Sequence, residues 1–471
     1  MIQALPHDPV LPQLATALDG AAMAGVFGAV LHGPQVLACA VDRIKYRPRR
    51  NCSVSYRLQL RDPQRGDFEQ RIAARFFGSG GSAAQRHRQA RERRWLASPA
   101  GPALQHEPGL DMLAFWLPND PKLDALRLLC DGAELRRRCL PELVAALTAG
   151  RGRLVDHTTT LVQVVPELRA CARVELQLQA EPGAATSLRT LYVKANLERS
   201  GGAARAVLQA LRDSPAHAAG RLRTPGSVLW QPDAGLHWQT ALPGQVLLDI
   251  DSAVGAETSA QVGRQLAALH AAPLPVALAT LDPAALREQA VRAAALLGSV
   301  EPAWRPALTR LLERLERGAA WLAAAKLVTL HGDLHPRNIL VDATRAGAPL
   351  AFIDLDDAQR GPAAIELGGW IADAHYRALL DGQPVAQLTA TCATSCAAFL
   401  AAYADASGQR IDAAVLAWGA AHHLLCRRAA GGLASLKPGR LAAIPALLAL
   451  AEAIARAGTV DAAVDSVREA A

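Results

Sequence analysis

Between residues 40 and 80 apolar and polar positions alternate in three runs, one ending at Tyr46, one from Val54 to Leu60 and one from Arg71 to Phe77. A period of two is the signature of strands with one face buried, so three strands are expected. A helix is expected next, from Ser82 to Trp95, with Arg86 to Arg94 forming a solvated basic face. The same order then returns as Leu161 to Val165, Ala172 to Leu178, Leu191 to Ala195 and a helix from Gly202 to Arg212. From residue 256 the period changes. Val262, Leu266 and Leu269 share one helix face, as do Trp304, Leu308, Leu311, Leu312 and Leu315 in a second helix. After Ile365 the chain reads as helical and rich in Ala and Leu.

The return extends to individual residues. Pro48 and Leu58-Gln59-Leu60 match Pro166 and Leu176-Gln177-Leu178 at a common offset of 118. Ser79-Gly80-Gly81 answers Ser200-Gly201-Gly202, and Phe115-Trp116-Leu117-Pro118 answers Thr240-Ala241-Leu242-Pro243. A duplicated α/β unit explains these matches, and two unrelated strand-helix units are the alternative. The 471 residues exceed what one core organises, and the pattern divides them into two α/β units and a mostly helical remainder.

Composition narrows the class. With 51% hydrophobic and 20% charged residues the chain is globular. The net charge of +7 is spread along the sequence, which argues against a nucleic-acid partner. Only five of the 50 basic residues are Lys, so each Lys stands out against an Arg-rich background. The eight cysteines form no CxxC, and Cys392 and Cys396 fall on one helix face, as expected of reduced thiols. Met1 to Leu11 lacks the basic-then-apolar order of a signal peptide. Leu441 to Ala451 is too short for a bilayer span and is interrupted by Pro445. A cytoplasmic protein with no membrane partner is expected.

The chemistry concentrates in one segment, His331-Gly332-Asp333-Leu334-His335-Pro336-Arg337-Asn338-Ile339-Leu340-Val341-Asp342. After a turn through Arg345-Ala346-Gly347 it continues as Leu350-Ala351-Phe352-Ile353-Asp354-Leu355-Asp356-Asp357. Each half is an apolar strand with carboxylates or a carboxamide at its end, and a hairpin would bring these ends together. Phosphoryl transfer from ATP needs such a set: a proton acceptor for the attacking hydroxyl, for which Asp333 is suited, and hard oxygen ligands for Mg2+, for which Asn338 and Asp354 are suited. Asn338 follows Asp333 by five residues, the spacing of a protein-kinase catalytic loop. Asp356 either holds a second metal or faces solvent, and Asp357 is assigned to structure.

Leu330 to Gly368 resembles the signature region of the aminoglycoside phosphotransferase and choline kinase family. HGDxHxxN is matched at His331, Gly332, Asp333, His335 and Asn338, and IDxxD at Ile353, Asp354 and Asp357. The closing Gly-Pro stretch is matched at Gly361, Pro362 and Leu367. Glu366 departs from the pattern, standing where the family has an Asp that braces the catalytic loop. Ala267-Ala268-Leu269-His270 resembles the family's first large-lobe helix and Ala241-Leu242-Pro243-Gly244 its hinge.

The resemblance implies an α+β, protein-kinase-like bilobal fold that uses ATP and Mg2+. Asp333 is then the catalytic base, Asn338 and Asp354 (with Asp356 as a further candidate) the metal ligands, and Lys194, on a third small-lobe strand, the phosphate-binding lysine. No Glu lies between Arg199 and Trp230, which leaves the usual helix partner of that Lys unassigned. The first unit has Arg75 at the Lys position and Glu92 on its helix. Maltokinase-like relatives carry an N-terminal cap. The expected division is therefore a cap over residues 1–150 resembling a small lobe, an ATP-binding lobe over 151–248 and a helical catalytic and acceptor-binding lobe over 249–471.

The function expected is phosphorylation of a small-molecule hydroxyl on a sugar, an amino alcohol or an aminoglycoside-like compound. Asp373, His375, Asp381, His422 and His423 are candidates to line the acceptor site. A kinase-fold scaffold without turnover is the alternative. A protein kinase is disfavoured by the lack of a GxGxxG loop and an APE motif. The acceptor and the oligomeric state are not legible.

Overall fold

The computed structural model describes residues 5–459 apart from 79–80, 180, 182–183, 198–200, 252, 273, 275–276, 343, 345–349 and 385–386. Ser79, Gly80, Ser200 and the turn expected at 345–347 lie outside the described residues.

Alternation becomes two five-stranded antiparallel sheets. In the first, β1 (Gln35–Arg47), β2 (Asn51–Asp62), β3 (Gly66–Phe77), β4 (Leu104–Glu107) and β5 (Met112–Trp116) lie in the order β1-β2-β3-β5-β4. In the second, β6 (Arg153–Val165), β7 (Arg169–Gln179), β8 (Thr186–Asn196), β9 (Ser227–Gln231) and β10 (Leu236–Thr240) lie in the equivalent order β6-β7-β8-β10-β9. Register repeats as well. Leu60 pairs with Val36 and Leu178 with Leu154, while Ser53 faces Arg75 as Cys171 faces Lys194. Shared topology, register and offset together support duplication.

Each sheet buries one row of side chains against helices that precede it. Cys52, Val54, Tyr56, Leu58 and Leu60 point inward from β2, where Phe27 of the helix Gly20–Gly28 meets Tyr56 and Trp116 edge to face. Ala170, Ala172, Val174, Leu176 and Leu178 point inward from β7. They pack with Leu135, Leu140 and Leu143 of the helices Gly132–Arg138 and Leu140–Thr148. The boundary expected at residue 150 therefore falls inside the second unit. Its helices belong with the sheet they cover because only that sheet completes their burial. The helix expected from Ser82 to Trp95 closes earlier, at Ser82–Ala90.

The remainder is helical, as its 3.6 period predicts. Leu308, Leu311 and Leu315 are buried on the helix Arg305–Arg317, and Val262, Leu266 and Leu269 on Ala256–His270. Pro445 does not interrupt the last helix, Pro438–Ala457, in which Ile444, Leu447, Leu448 and Ala451 are buried. That helix is long and apolar enough to cross a membrane, and half of its most apolar stretch is buried inside the protein. Five short strands join the lobes to the chemistry. β11 (Gln245–Val246), just after the hinge, pairs with β13 (Ile339–Val341), which pairs with β14 (Ala351–Phe352); β12 (Leu327–Leu330) pairs with β15 (Gln359–Pro362). All eight cysteines are unbridged.

The helix Ala363–Leu380 crosses Ala413–His423 at two glycines. A Cβ on Gly368 would lie 2.6 Å from the Ala420 nitrogen, and one on Gly419 would lie 2.5 Å from the Ala364 oxygen. Gly368→Val should thus cost roughly 1–3 kcal/mol through overpacking. Gly25→Ala, where an added Cβ meets nothing within 4 Å, should be neutral or gain up to about 1 kcal/mol. Urea midpoints measure both; equal midpoints for the two variants would contradict the close crossing.

Candidate active site

The strand β12 ends at Leu330, and the chain then turns sharply. Gly332 has φ +87°, and a Cβ there would fall 2.0 Å from the Asp357 carbonyl oxygen, so the turn accepts only glycine. Glu366, in the first turn of Ala363–Leu380, braces the loop. Its carboxylate accepts from the backbone N–H groups of His331 at 3.0 Å and Gly332 at 2.9 Å. It also meets His270 Nε2 at 3.0 Å, whose other ring nitrogen lies 2.9 Å from the Tyr403 hydroxyl. Burial pushes the Glu366 carboxyl up, but the His270 hydrogen bond and His331 outweigh it and hold the group below its usual range. The longer Glu thus performs the bracing that the family pattern gives to Asp.

The same loop is fastened to β14. His331 Nε2 donates to the Ile353 carbonyl at 2.9 Å, and the Ile353 N–H donates to the Asn338 carbonyl at 3.0 Å. Asn338 Nδ2 donates to the Asp333 carbonyl at 2.9 Å, which leaves the carboxamide oxygen as the end available to a cation.

Asp333 presents its carboxylate to Arg427, 2.9 Å away, with His335 Nε2 at 3.6 Å. Arg427 lies on a π-helical turn, Leu424–Ala429, inserted between α-helical segments. Such turns shift side chains off the regular helix faces and recur at functional sites. Here one of two adjacent arginines reaches Asp333, while Arg428 reaches Asp373 at 2.6 Å. Burial raises the Asp333 carboxyl, yet His335 and Arg427 prevail and keep it well below the usual carboxylate range. Asp357 moves the other way, raised by burial and then by the charge of Asp333.

Lys194 reaches this centre from the other lobe. Its Nζ lies 2.6 Å from Asp354 and 3.1 Å from Asp356, so one ammonium is shared by two carboxylates. Burial would lower the Lys194 pKa, but Asp356 and Asp354 reverse this and raise it; Lys194 correspondingly lowers that of Asp354 against its own burial. Asp354 holds φ +62°, a left-handed conformation that Asp adopts more readily than most residues. Asn196 Nδ2 stands 3.5 Å from Asp356. His237, opposite Lys194 on β10, is bonded to the Ser227 hydroxyl at 2.9 Å, and burial brings its pKa down to about 4.

The structure thus gathers Asp333, Asn338, Asp354, Asp356 and Lys194. Among the described residues no three His, Cys, Asp or Glu side chains form a closed cation site. An open set of two converging carboxylates and a carboxamide oxygen fits Mg2+, which fills its remaining positions with water and phosphate. The helix Gly201–Arg212 carries no acid, and the two aspartates take the place of the missing Glu. Arg75 and Glu92 do not meet: Arg75 is paired with Glu167, and Glu92 is exposed beyond its helix.

The acceptor-site candidates fare differently. Asp373 is spent on Arg377 and Arg428, His375 bonds the Ile371 carbonyl, and His422 bonds the Leu286 carbonyl while stacking on Trp418. His423 is half-buried beside Gly369, and Asp381 is exposed at a helix end. These are packing and capping positions. Arg427, which touches Asp333, was hidden in the sequence by the abundance of Arg.

Residues 189–418 match the family model described as the phosphotransferase enzyme family. No curated protein matches the chain. Among solved structures, a choline/ethanolamine kinase family protein from Mesorhizobium loti is 15% identical with a TM-score of 0.45, over 72% of this chain and 99% of that one. A choline kinase from Cryptosporidium parvum is 10% identical with a TM-score of 0.41, over 66% and 92%. An aminoglycoside phosphotransferase from Streptomyces rimosus, in complex with ADP and streptomycin, is 20% identical with a TM-score of 0.34, over 52% and 90%. Residues 189–418, which hold Lys194, Asp333, Asn338, Asp354 and Glu366, are thus similar to the phosphotransferase enzyme family.

Proposed function

We propose that the chain transfers the γ-phosphoryl group of ATP to a hydroxyl of a small molecule, such as a sugar, an amino alcohol or an aminoglycoside-like compound, and works in the cytoplasm. The observation that carries this reading is the meeting of an ionised, loop-end Asp333 with Asn338, Asp354, Asp356 and Lys194 inside the family-matched segment.

Asp333 accepts the hydroxyl proton as the acceptor oxygen bonds to the γ-phosphorus and the bridging oxygen leaves with ADP. Its low pKa means that it is a weak base before attack, so the proton moves with phosphoryl transfer rather than ahead of it. Arg427, beside Asp333, holds the carboxylate in place and adds positive charge where phosphoryl oxygens gather. Lys194 meets the α- and β-phosphates, giving up its hold on Asp354 and Asp356. Asn338 and Asp354, with Asp356 beside them, would hold Mg2+, which would supply neutralisation of the phosphate charge. The scaffold alternative drew on the missing helix Glu. The pairing of Lys194 with two aspartates weakens that motive, and nucleotide turnover measured with and without magnesium separates the two readings.

Asp333→Asn should leave ATP binding nearly intact while lowering turnover by roughly 100-fold or more; unchanged turnover removes Asp333 from the mechanism. Chelation of divalent metal should abolish activity, and Asp354→Ala should cost more than Asp356→Ala in metal-titrated rates. An equal or larger loss at Asp356 would reverse the ligand order. Lys194→Ala should raise the apparent constant for ATP sharply, whereas Arg75→Ala should act mainly on stability or on the acceptor; ATP affinity lost at Arg75 and kept at Lys194 would make the first unit the nucleotide lobe.

A further inference from the structure

A cavity of about 280 Å³ lies between the outer face of the first sheet and the turn that links β6 to β7. Five of its lining side chains are cationic, namely Arg43, Lys45, Arg47, Arg75 and Lys122, and one, Glu167, is acidic. Glu167 is paired with Arg75 and, at 3.0 Å, with Lys122. Arg43, Lys45 and Arg47 make no ion pair among the described residues. Asn51 and Ser53 add further hydrogen-bonding groups to the wall.

Such an excess of like charge is unfavourable unless an anion offsets it. The same charges bear on Lys45, whose pKa is lowered by partial burial and then by Arg47, Arg43 and Arg75, with Glu167 too weak to restore it. Duplication adds an independent argument. Arg75 faces Ser53 in the first sheet as Lys194 faces Cys171 in the second, so the first unit sets a cation at the strand position that holds Lys194. Arginine there, with lysines around it, suits phosphate oxygens.

We infer that this cavity is a binding site for a small phosphorylated ligand carrying two or more negative charges, separate from the catalytic centre. The ligand competes with Glu167 for Arg75 and Lys122. It thereby acts on the β6–β7 turn, whose backbone at Glu167 is held by Asp120 at 2.8 Å. Two residues further on, the charge of Arg169 is felt by Asp354 and Asp357. The inference stands on the charge excess and does not require the catalytic reading.

Inorganic pyrophosphate, titrated calorimetrically into the full chain in a phosphate-free, metal-free buffer, tests it. Lys45 and Arg47 are exposed, so Lys45→Ala/Arg47→Ala should fold normally and weaken pyrophosphate binding by roughly tenfold or more. Glu167→Gln, which removes the carboxylate competing for Arg75 and Lys122, should strengthen it, a change of sign that a structural role for these residues would not produce. Lys194→Ala should leave this binding unchanged. The inference is overturned by no measurable binding to the unaltered chain, by binding insensitive to the double substitution, by no gain with Glu167→Gln, or by loss with Lys194→Ala, which would place the anion in the catalytic cleft.

Discussion

The shared ammonium of Lys194 is the contact on which the arrangement of this protein depends. It comes from the middle of a sheet, and its two partners, Asp354 and Asp356, follow a short strand 160 residues further along the chain. Burying a lysine is costly without compensating charge, and burying two carboxylates side by side is costlier. Each group is tolerated because the others are present. The balance of one positive and two negative charges also leaves the centre short of a cation, the condition on which the proposed metal binding rests. The pairing therefore positions the two lobes and prepares the site at once.

The two sheets show how one architecture diverges through a few side chains. Strand order and register are equivalent in both. What differs is where the cation on the third strand finds its counter-charge. Lys194 finds it in the helical lobe, whereas Arg75 finds it in Glu167, at the tip of the neighbouring unit's first hairpin. The first unit is thereby fastened to the hairpin of the second, while its sheet also packs in the same core as the C-terminal helices. A position that meets the helical lobe in one copy meets the neighbouring unit in the other.

Much of this was legible in the sequence because it is local. Alternation at period two located six strands, and His331 to Asp357 announced its chemistry through spacing. β4, β5, β9 and β10 were legible only as the paired Leu-Pro endings at Leu117-Pro118 and Leu242-Pro243, since short, fully buried strands such as Met112–Trp116 lose the alternation. The unit boundary at 150 was misplaced because amphipathic helices near 132–148 carry no mark of which sheet they cover. Arg427 and Glu167 act through contacts 94 residues away in one case and across two units in the other, and spacing cannot reveal such pairs. The extended helix through Pro445 was missed because a proline on the exposed face removes one N–H but does not by itself end a helix held by buried residues before and after it, such as Ile444 and Leu447.

The central claim is that the centre around Asp333 moves a phosphoryl group onto a small molecule. The most direct measurement incubates the purified chain with γ-labelled ATP, magnesium and a fractionated metabolite pool, and follows the label by mass. The account predicts label on a hydroxyl-bearing metabolite, with one ADP formed for each phosphoryl group transferred. Label that stays in ATP or appears only in inorganic phosphate, across every fraction, would contradict it.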